Sequence, residues 1–124
     1  MPGYKVLVVD DDPLVLEMAK DALEEIDMEV HTHSAAIGTN AQLFKIKPDL
    51  LILDIDMPGL LKGDRICQII KSQGYFRDLK ILLFSSLSEP ELAKLADTHG
   101  ADAYLTKTGS IRDLQRKVQR LIQV

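Results

Sequence analysis

Acidic, hydroxyl and basic residues follow the apolar runs of this 124-residue chain at four places. They are Asp10-Asp11-Asp12, Asp54-Ile55-Asp56, Ser85-Ser86 and Thr106-Lys107-Thr108. Several carboxylates brought together repel one another and raise one another's pKa unless a cation neutralises them. The acidic residues therefore predict a site for a hard divalent cation. Mg²⁺, or Mn²⁺ in its place, fits best because it prefers oxygen ligands and commonly binds one or two carboxylates together with oxygens of a phosphate.

A lysine and a hydroxyl complete a site for phosphoryl transfer. A transferred phosphoryl group spreads negative charge over three oxygens, each of which needs its own cation or hydrogen-bond donor. Lys107 and Ser85 supply two of these partners, and the metal ion supplies the third. A carboxylate at the end of a buried strand can act as the nucleophile and form an aspartyl phosphate. Asp54 is best placed for that role.

Each of these residues also has a simpler structural interpretation. Asp11 or Asp12 can cap a helix that begins at Pro13, and a lone serine such as Ser85 is usually a turn residue. A lone lysine is usually a solvated charge. The four apolar runs, however, each end in a residue type that phosphoryl transfer requires. This combination favours the chemical interpretation.

The scaffold must bring the ends of these apolar runs together. Short β-branched runs alternate with longer segments of helical period, which is typical of a parallel α/β sheet with helices on both faces. We predict a doubly wound five-stranded parallel sheet, and the reactive residues should meet at the edge where the strands end. The predicted strands are 5–9, 28–33, 50–54, 80–84 and 101–106, and the predicted helices are 13–26, 35–46, 64–73, 89–99 and 110–122.

Two of these elements have weaker patterns. The segment 28–33 alternates as a half-buried edge strand does, and its inward residues are expected to be Met28, Val30 and Thr32. The helix 35–46 is interrupted near Gly38. It is nevertheless expected to bury Leu43, Phe44 and Ile46.

Composition and charge narrow the classes of function. The chain fits one domain spanning residues 1–124, and its net charge of −4 argues against direct nucleic-acid binding, which depends on clustered Lys and Arg. No apolar run approaches the roughly 18 residues that suggest a membrane span. The start, MPGYKVLVV, lacks the features of a signal peptide, so a cytoplasmic protein is expected. The single cysteine, Cys67, lies in an apolar helical pattern that indicates packing or a partly exposed surface more than nucleophilic work.

Four ordered motifs resemble the receiver domains of bacterial-type response regulators over essentially the full length of the chain. They are VLVVDDDP, LLILDIDMPG, ILLFSS and GADAYLTK. The resemblance implies a flavodoxin-like sheet with strand order 2-1-3-4-5. It also implies a signalling module, and not an enzyme in the ordinary sense, which takes a phosphoryl group from a histidine kinase or a histidine phosphotransfer protein. Such a module catalyses its own phosphorylation and dephosphorylation.

The same resemblance assigns roles to the acidic residues. Asp54 would accept the phosphoryl group and also contact Mg²⁺. Asp10 and Asp11 would be the acidic pair that holds the metal, with Asp11 as the direct ligand, and Asp56 would contribute its backbone carbonyl. In the family, the positions of Asp56 and Leu87 influence how quickly the phosphoryl group is lost. The direction of that influence stays open for this chain.

The remaining motif residues would transmit the signal. Lys107 would pair with a phosphoryl oxygen, Ser85 would donate a hydrogen bond to another, and Tyr104 would be the aromatic switch. In the family, phosphorylation remodels the surface around the fourth helix, fifth strand and fifth helix. That face would serve an output partner or a homodimer, neither of which the sequence identifies.

The chain departs from the family pattern near the site. Thr108 follows Lys107 where the family usually has proline, so a trans peptide bond is expected. The loop MPGLLKGD is one residue longer than usual between Pro58 and Gly63.

Two other functions remain open at the level of sequence. The segment LILDIDM also resembles the DxD motif of haloacid-dehalogenase-like phosphatases, although it lies mid-chain and is followed by Met57-Pro58. The second alternative is a degenerate receiver that serves only as a protein-binding module.

Overall fold

The first strand, β1, consists of Lys5–Val9, and its last four residues are buried because helices cover both faces of the sheet. The computed structural model describes residues 3–56, 66–72 and 74–122. The other strands are β2 (Glu29–His33), β3 (Leu50–Leu53), β4 (Lys80–Ser85) and β5 (Ala103–Thr106). The helices are α1 (Pro13–Glu24), α2 (Thr39–Ile46), α3 (Ile66–Ser72), α4 (Glu89–His99) and α5 (Ile111–Ile122), with a short 3₁₀ helix at Gly74–Phe76.

The five strands form one parallel sheet in the order β2-β1-β3-β4-β5, which confirms the predicted fold class and strand order. Along the register, Val9 pairs with Leu53, and Ser85 pairs with Thr106. The strands that carry the candidate site residues therefore end side by side at one edge of the sheet.

Two layers of helices cover the sheet. On one face, α1 and α5 pack against strand residues such as Val8 and Ile52. On the other face, α2, α3 and α4 pack against Val9, Leu53 and their neighbours. Successive strand residues point to opposite faces, and both faces are covered, so the central strands must be apolar throughout. This explains the continuous apolar runs of the sequence.

Several predicted boundaries were wrong, by one to four residues. The helix α1 ends at Glu24, before Ile26, because the chain turns there and Asp27 adopts a left-handed φ of 65°. Apolar periodicity marks the packed middle of an element, whereas its ends depend on local hydrogen bonds. The other shifted ends are the starts of β2, β5 and α5, at Glu29, Ala103 and Ile111, and the ends of β3 and β4, at Leu53 and Ser85.

The helix α2 begins at Thr39, four residues later than predicted. Gly38 does not interrupt it but precedes it as the N-cap, with a φ of 89°. Two of the three side chains expected to be buried are buried, but Phe44 is 44% exposed. Its ring contacts Phe76 edge-on, with the ring centroids 4.9 Å apart. Adjacent helix positions point about 100° apart, so a residue beside a buried one need not face the sheet.

The edge strand β2 follows its predicted pattern only in part. Val30 is buried and Met28 is half-buried against the core, but Thr32 is exposed. The expectation for Thr32 was wrong because α1 and the central strands cover this face of β2 at Val30 and not at its carboxyl end.

Part of the predicted third helix and the loop before it cannot be compared with the structure. The described helix α3 is Ile66–Ser72, and residues 57–65 and 73, which include the MPGLLKGD loop, lie outside the described residues. In the described part of the chain, no helix is long and apolar enough to cross a membrane.

Candidate functional site

Asp54 lies at the centre of the candidate site. It follows β3, and its backbone N–H donates to the Val9 carbonyl at 3.0 Å, which fixes the carboxylate beside the end of β1. The residue is only 5% exposed. Its Oδ1 accepts a hydrogen bond from the Asp56 N–H at 3.0 Å, and its Oδ2 accepts one from Lys107 Nζ at 3.1 Å. The proposed acceptor is therefore held by donors on both oxygens.

The acidic residues after β1 have three different environments. Asp10 is 1% exposed, and its Oδ1 accepts from the Asp12 N–H at 2.9 Å. Asp12 Oδ1 accepts from the Leu14 N–H at 2.9 Å, so this residue caps α1, as its simpler interpretation predicted. Asp11 is exposed and makes neither of these contacts. Of these three residues, Asp10 and Asp11 are the ones that place a carboxylate oxygen close to Asp54.

Three carboxylates converge at this edge of the sheet. One oxygen each of Asp10, Asp11 and Asp54 lies within 4.8 Å of the others. The fully buried Oδ2 of Asp10 lies 2.7 Å from Lys107 Nζ in an ion pair. Burial raises the pKa of Asp10 above its ordinary 3.8, against the opposing effect of Lys107. A crowded all-oxygen set with more negative than positive charge fits a hard divalent cation.

Lys107 joins the two buried carboxylates. It follows β5, and its backbone N–H donates to the Ser85 carbonyl at 2.8 Å. Burial by itself would lower the pKa of this lysine, but its hydrogen bonds to Asp10 and Asp54 outweigh burial and raise the pKa above 10.5. The ammonium also lies 5.9 Å from the centroid of the Phe84 ring. The Lys107–Thr108 peptide bond is trans, as expected.

Ser85 ends β4 and is completely buried. Its hydroxyl donates to Asp56 Oδ2 at 3.2 Å and accepts from the Leu87 N–H at 3.2 Å. The sequence placed Ser85 and Asp56 near the pocket but did not predict that their side chains are bonded to each other. An acidic residue two positions after Asp54 was the available signal.

Tyr104 occupies β5 and pairs in register with Leu83. Its side chain is partly buried and packs against the core layer that α2, α3 and α4 cover. Its ring centroid lies 5.8 Å from Lys117 Nζ on α5. The hydrogen bonds and ion pairs of the described residues do not join Tyr104 to Ser85. Its role as a switch stays a prediction.

The chain as a whole matches a known family. The family model described as "Response regulator receiver domain" matches residues 6–119. The protein therefore belongs to the response regulator receiver domain family, the signalling modules of two-component systems. This assignment agrees with the strand order and disfavours the phosphatase alternative.

Similar proteins occur in bacteria and plants. The chain is 26% identical over 119 residues to the DNA-binding dual master transcriptional regulator RpaA of Synechocystis, covering 96% of this chain and 49% of that protein. It is 32% identical over 123 residues to a two-component response regulator of Arabidopsis thaliana, covering 98% of this chain and 20% of that protein. The chain thus spans about half or less of the length of the curated relatives it matches.

Solved structures share the whole fold. A putative response regulator from Chloroflexus aurantiacus superimposes with a TM-score of 0.89 at 25% identity, covering 98% of this chain and 99% of that one. The chemotaxis response regulator CheY4 of Vibrio cholerae gives a TM-score of 0.85 at 25% identity, covering 96% and 98%.

Cys67 takes no part in the site. It is completely buried in the core layer that contains α3, which is the first of the two positions that the sequence pattern allowed. Burial raises the pKa of its thiol to about 12. A thiol with that pKa is almost entirely protonated near neutral pH and is a poor nucleophile.

Proposed function

We propose that residues 1–124 form one receiver domain that accepts a phosphoryl group on Asp54 from a histidine kinase or a histidine phosphotransfer protein. The observation that carries this proposal is the pairing of one ammonium, Lys107 Nζ, with both Asp54 Oδ2 and Asp10 Oδ2 in a buried pocket. An ammonium between two carboxylates is well placed to hold a phosphoryl oxygen once that group is attached to one of them.

The reaction exchanges one bond to phosphorus for another. A carboxylate oxygen of Asp54 attacks the phosphorus of a phosphohistidine, the P–N bond breaks as the O–P bond forms, and the released imidazole takes up a proton. Lys107 neutralises charge on the phosphoryl oxygens, and Ser85 supplies a hydroxyl donor. The domain would itself catalyse this transfer, and the phosphohistidine protein would act as the phosphoryl donor. Hydrolysis of the acyl phosphate would reset the domain.

A divalent cation fits this pocket. Asp10, Asp11 and Asp54 would hold Mg²⁺ through their side chains, and Asp56 would add its backbone carbonyl. When bound, the ion would supply positive charge that offsets the crowded carboxylates and the incoming phosphoryl group.

The output of the domain would be a change of surface. In this proposal, Ser85 turns towards the phosphoryl group and Tyr104 moves inward, which alters the face formed by α4, β5 and α5. That face would bind an output domain, a separate partner or a second copy of this chain.

One labelling experiment tests the acceptor. The protein is incubated with acetyl phosphate and Mg²⁺, and its intact mass is measured for wild type, Asp54→Asn and Asp12→Asn. Wild type and Asp12→Asn should gain one phosphoryl group, because Asp12 only caps α1. Asp54→Asn should gain none.

Each other outcome contradicts the proposal in its own way. Equal labelling of Asp54→Asn would show that another residue is the acceptor. No labelling of wild type would indicate the degenerate binding module, and sustained turnover of added phosphomonoesters would indicate the phosphatase.

A further inference from the structure

The proton of the Ser85 hydroxyl is already engaged before any phosphoryl group arrives. It is buried, it donates to Asp56 Oδ2 at 3.2 Å, and it accepts from the Leu87 N–H at 3.2 Å. A serine hydroxyl has a single proton to donate. While that proton is held by Asp56, it cannot be donated to a phosphoryl oxygen.

Asp56 is also bonded to the proposed acceptor. Its backbone N–H donates to Asp54 Oδ1 at 3.0 Å, and its side chain receives the proton of Ser85. Two consecutive hydrogen bonds therefore connect Asp54 to Ser85 through one residue. A change of charge or bonding at Asp54 acts directly on the residue that holds the switch hydroxyl.

We propose that Asp56 is a positioning residue whose carboxylate holds the Ser85 hydroxyl in the unphosphorylated arrangement and competes with the phosphoryl group for its proton. This inference rests on the proposed function, because it needs a phosphoryl group on Asp54. The domain then has two arrangements, with Ser85 bonded either to Asp56 or to the phosphoryl group. Removal of the Asp56 carboxylate favours the second arrangement by the strength of one hydrogen bond to a charged acceptor, about tenfold or more in the equilibrium constant.

The test is a double-mutant cycle on the binding of beryllofluoride, a stable mimic of the phosphoryl group. Its dissociation constant is measured in the presence of Mg²⁺ for wild type, Asp56→Ala, Ser85→Ala and the double variant. Asp56→Ala should bind more tightly than wild type, by about tenfold or more. In the Ser85→Ala background, the same substitution should lose that gain, because no hydroxyl remains to be released.

Two further variants control for charge and for folding. Asp78→Ala also removes one negative charge, but Asp78 lies before β4 at the opposite end of the sheet, so it should leave binding unchanged. Asp56→Asn keeps the size of the side chain and a weaker acceptor, and should lie between wild type and Asp56→Ala. Its backbone N–H, and hence its bond to Asp54, is retained.

The possible results separate this inference from the proposed function. If Asp56→Ala changes binding equally in both backgrounds, Asp56 acts through charge alone and the inference is wrong. If it weakens binding, the inference is also wrong. If wild type neither binds beryllofluoride nor is labelled on Asp54, the proposed function fails and the inference fails with it.

Discussion

At the scale of single residues, the pocket depends on one ammonium group, that of Lys107, which two buried carboxylates share. Lys107 Nζ lies 2.7 Å from Asp10 Oδ2 and 3.1 Å from Asp54 Oδ2. Both aspartates are at least nine-tenths buried, so water cannot compensate their charge. Lys107 therefore stabilises the metal-free protein as well as serving the reaction we propose.

Lys107→Ala should destabilise the metal-free protein in a pH-dependent way. Burial already raises the pKa of Asp10, and without the opposing ammonium this folded-state pKa rises further above its value in the unfolded chain. A raised pKa means that stability is retained at low pH and lost as the pH rises through the folded-state value. We expect a loss of about 3 kcal/mol in the free energy of unfolding at pH 8, and a smaller loss at pH 5.

Urea unfolding at the two pH values, with a chelator present, measures this effect. Lys80→Ala is the matched control, because Lys80 is exposed and should change stability by at most about 0.5 kcal/mol. An equal loss for Lys107→Ala at both pH values would show that the lysine stabilises by packing and not by charge.

At the scale of elements, the segment between β2 and α2 links the edge strand to the site. The Asp10 N–H donates to the His33 carbonyl at 3.2 Å. The His33 ring is bonded in turn to the Ile37 carbonyl, with Nε2 and O 2.7 Å apart. Gly38 then precedes α2 as its N-cap, with a left-handed φ of 89°. The conformation of this glycine therefore determines where α2 begins.

Gly38→Ala should lower the free energy of unfolding by about 1–2 kcal/mol, because a side chain disfavours the left-handed conformation. The added Cβ would also lie 3.2 Å from His33 Nε2. Thermal unfolding compares this variant with Gly74→Ala, where a Cβ would meet no atom within 4 Å. If the two variants were equally stable, the backbone at Gly38 would not constrain the fold.

At the scale of the whole molecule, the parallel sheet concentrates negative charge at one edge. The carboxyl ends of β1 and β3 place Asp54 beside Asp10 and Asp11, whereas the unfolded chain keeps Asp54 apart from that adjacent pair. The proposed metal site therefore exists only in the folded state. Any cation that binds there stabilises the fold by mass action.

Mg²⁺ should raise the stability of the protein, and a chelator should reverse the effect. At a concentration ten times the Kd the gain is about 1.4 kcal/mol, or about 5 °C in Tm for a chain of this length. Asp11→Asn should lose most of this gain. Asp12→Asn should keep it, because asparagine also caps a helix and Asp12 is outside the carboxylate cluster. Equal responses of the two variants would contradict the assigned ligands.

The sequence by itself determined the sheet and the positions of the site residues. A central parallel strand is buried on both faces, so KVLVV, LLIL and KILLF had to be apolar and were recognisable as strands. The site lies beyond the ends of such strands, so Asp54 and Lys107 could be placed at one edge. These inferences need only local patterns and the general geometry of α/β sheets.

The tertiary structure decided the ends of the elements and the bonds between side chains. The start of α2 depends on the backbone angle of Gly38, and the exposure of Phe44 depends on which side of that helix meets the sheet. The bond from Ser85 to Asp56 joins residues 29 positions apart. No periodic pattern encodes such a contact, because its partners become neighbours only after β3 and β4 have paired.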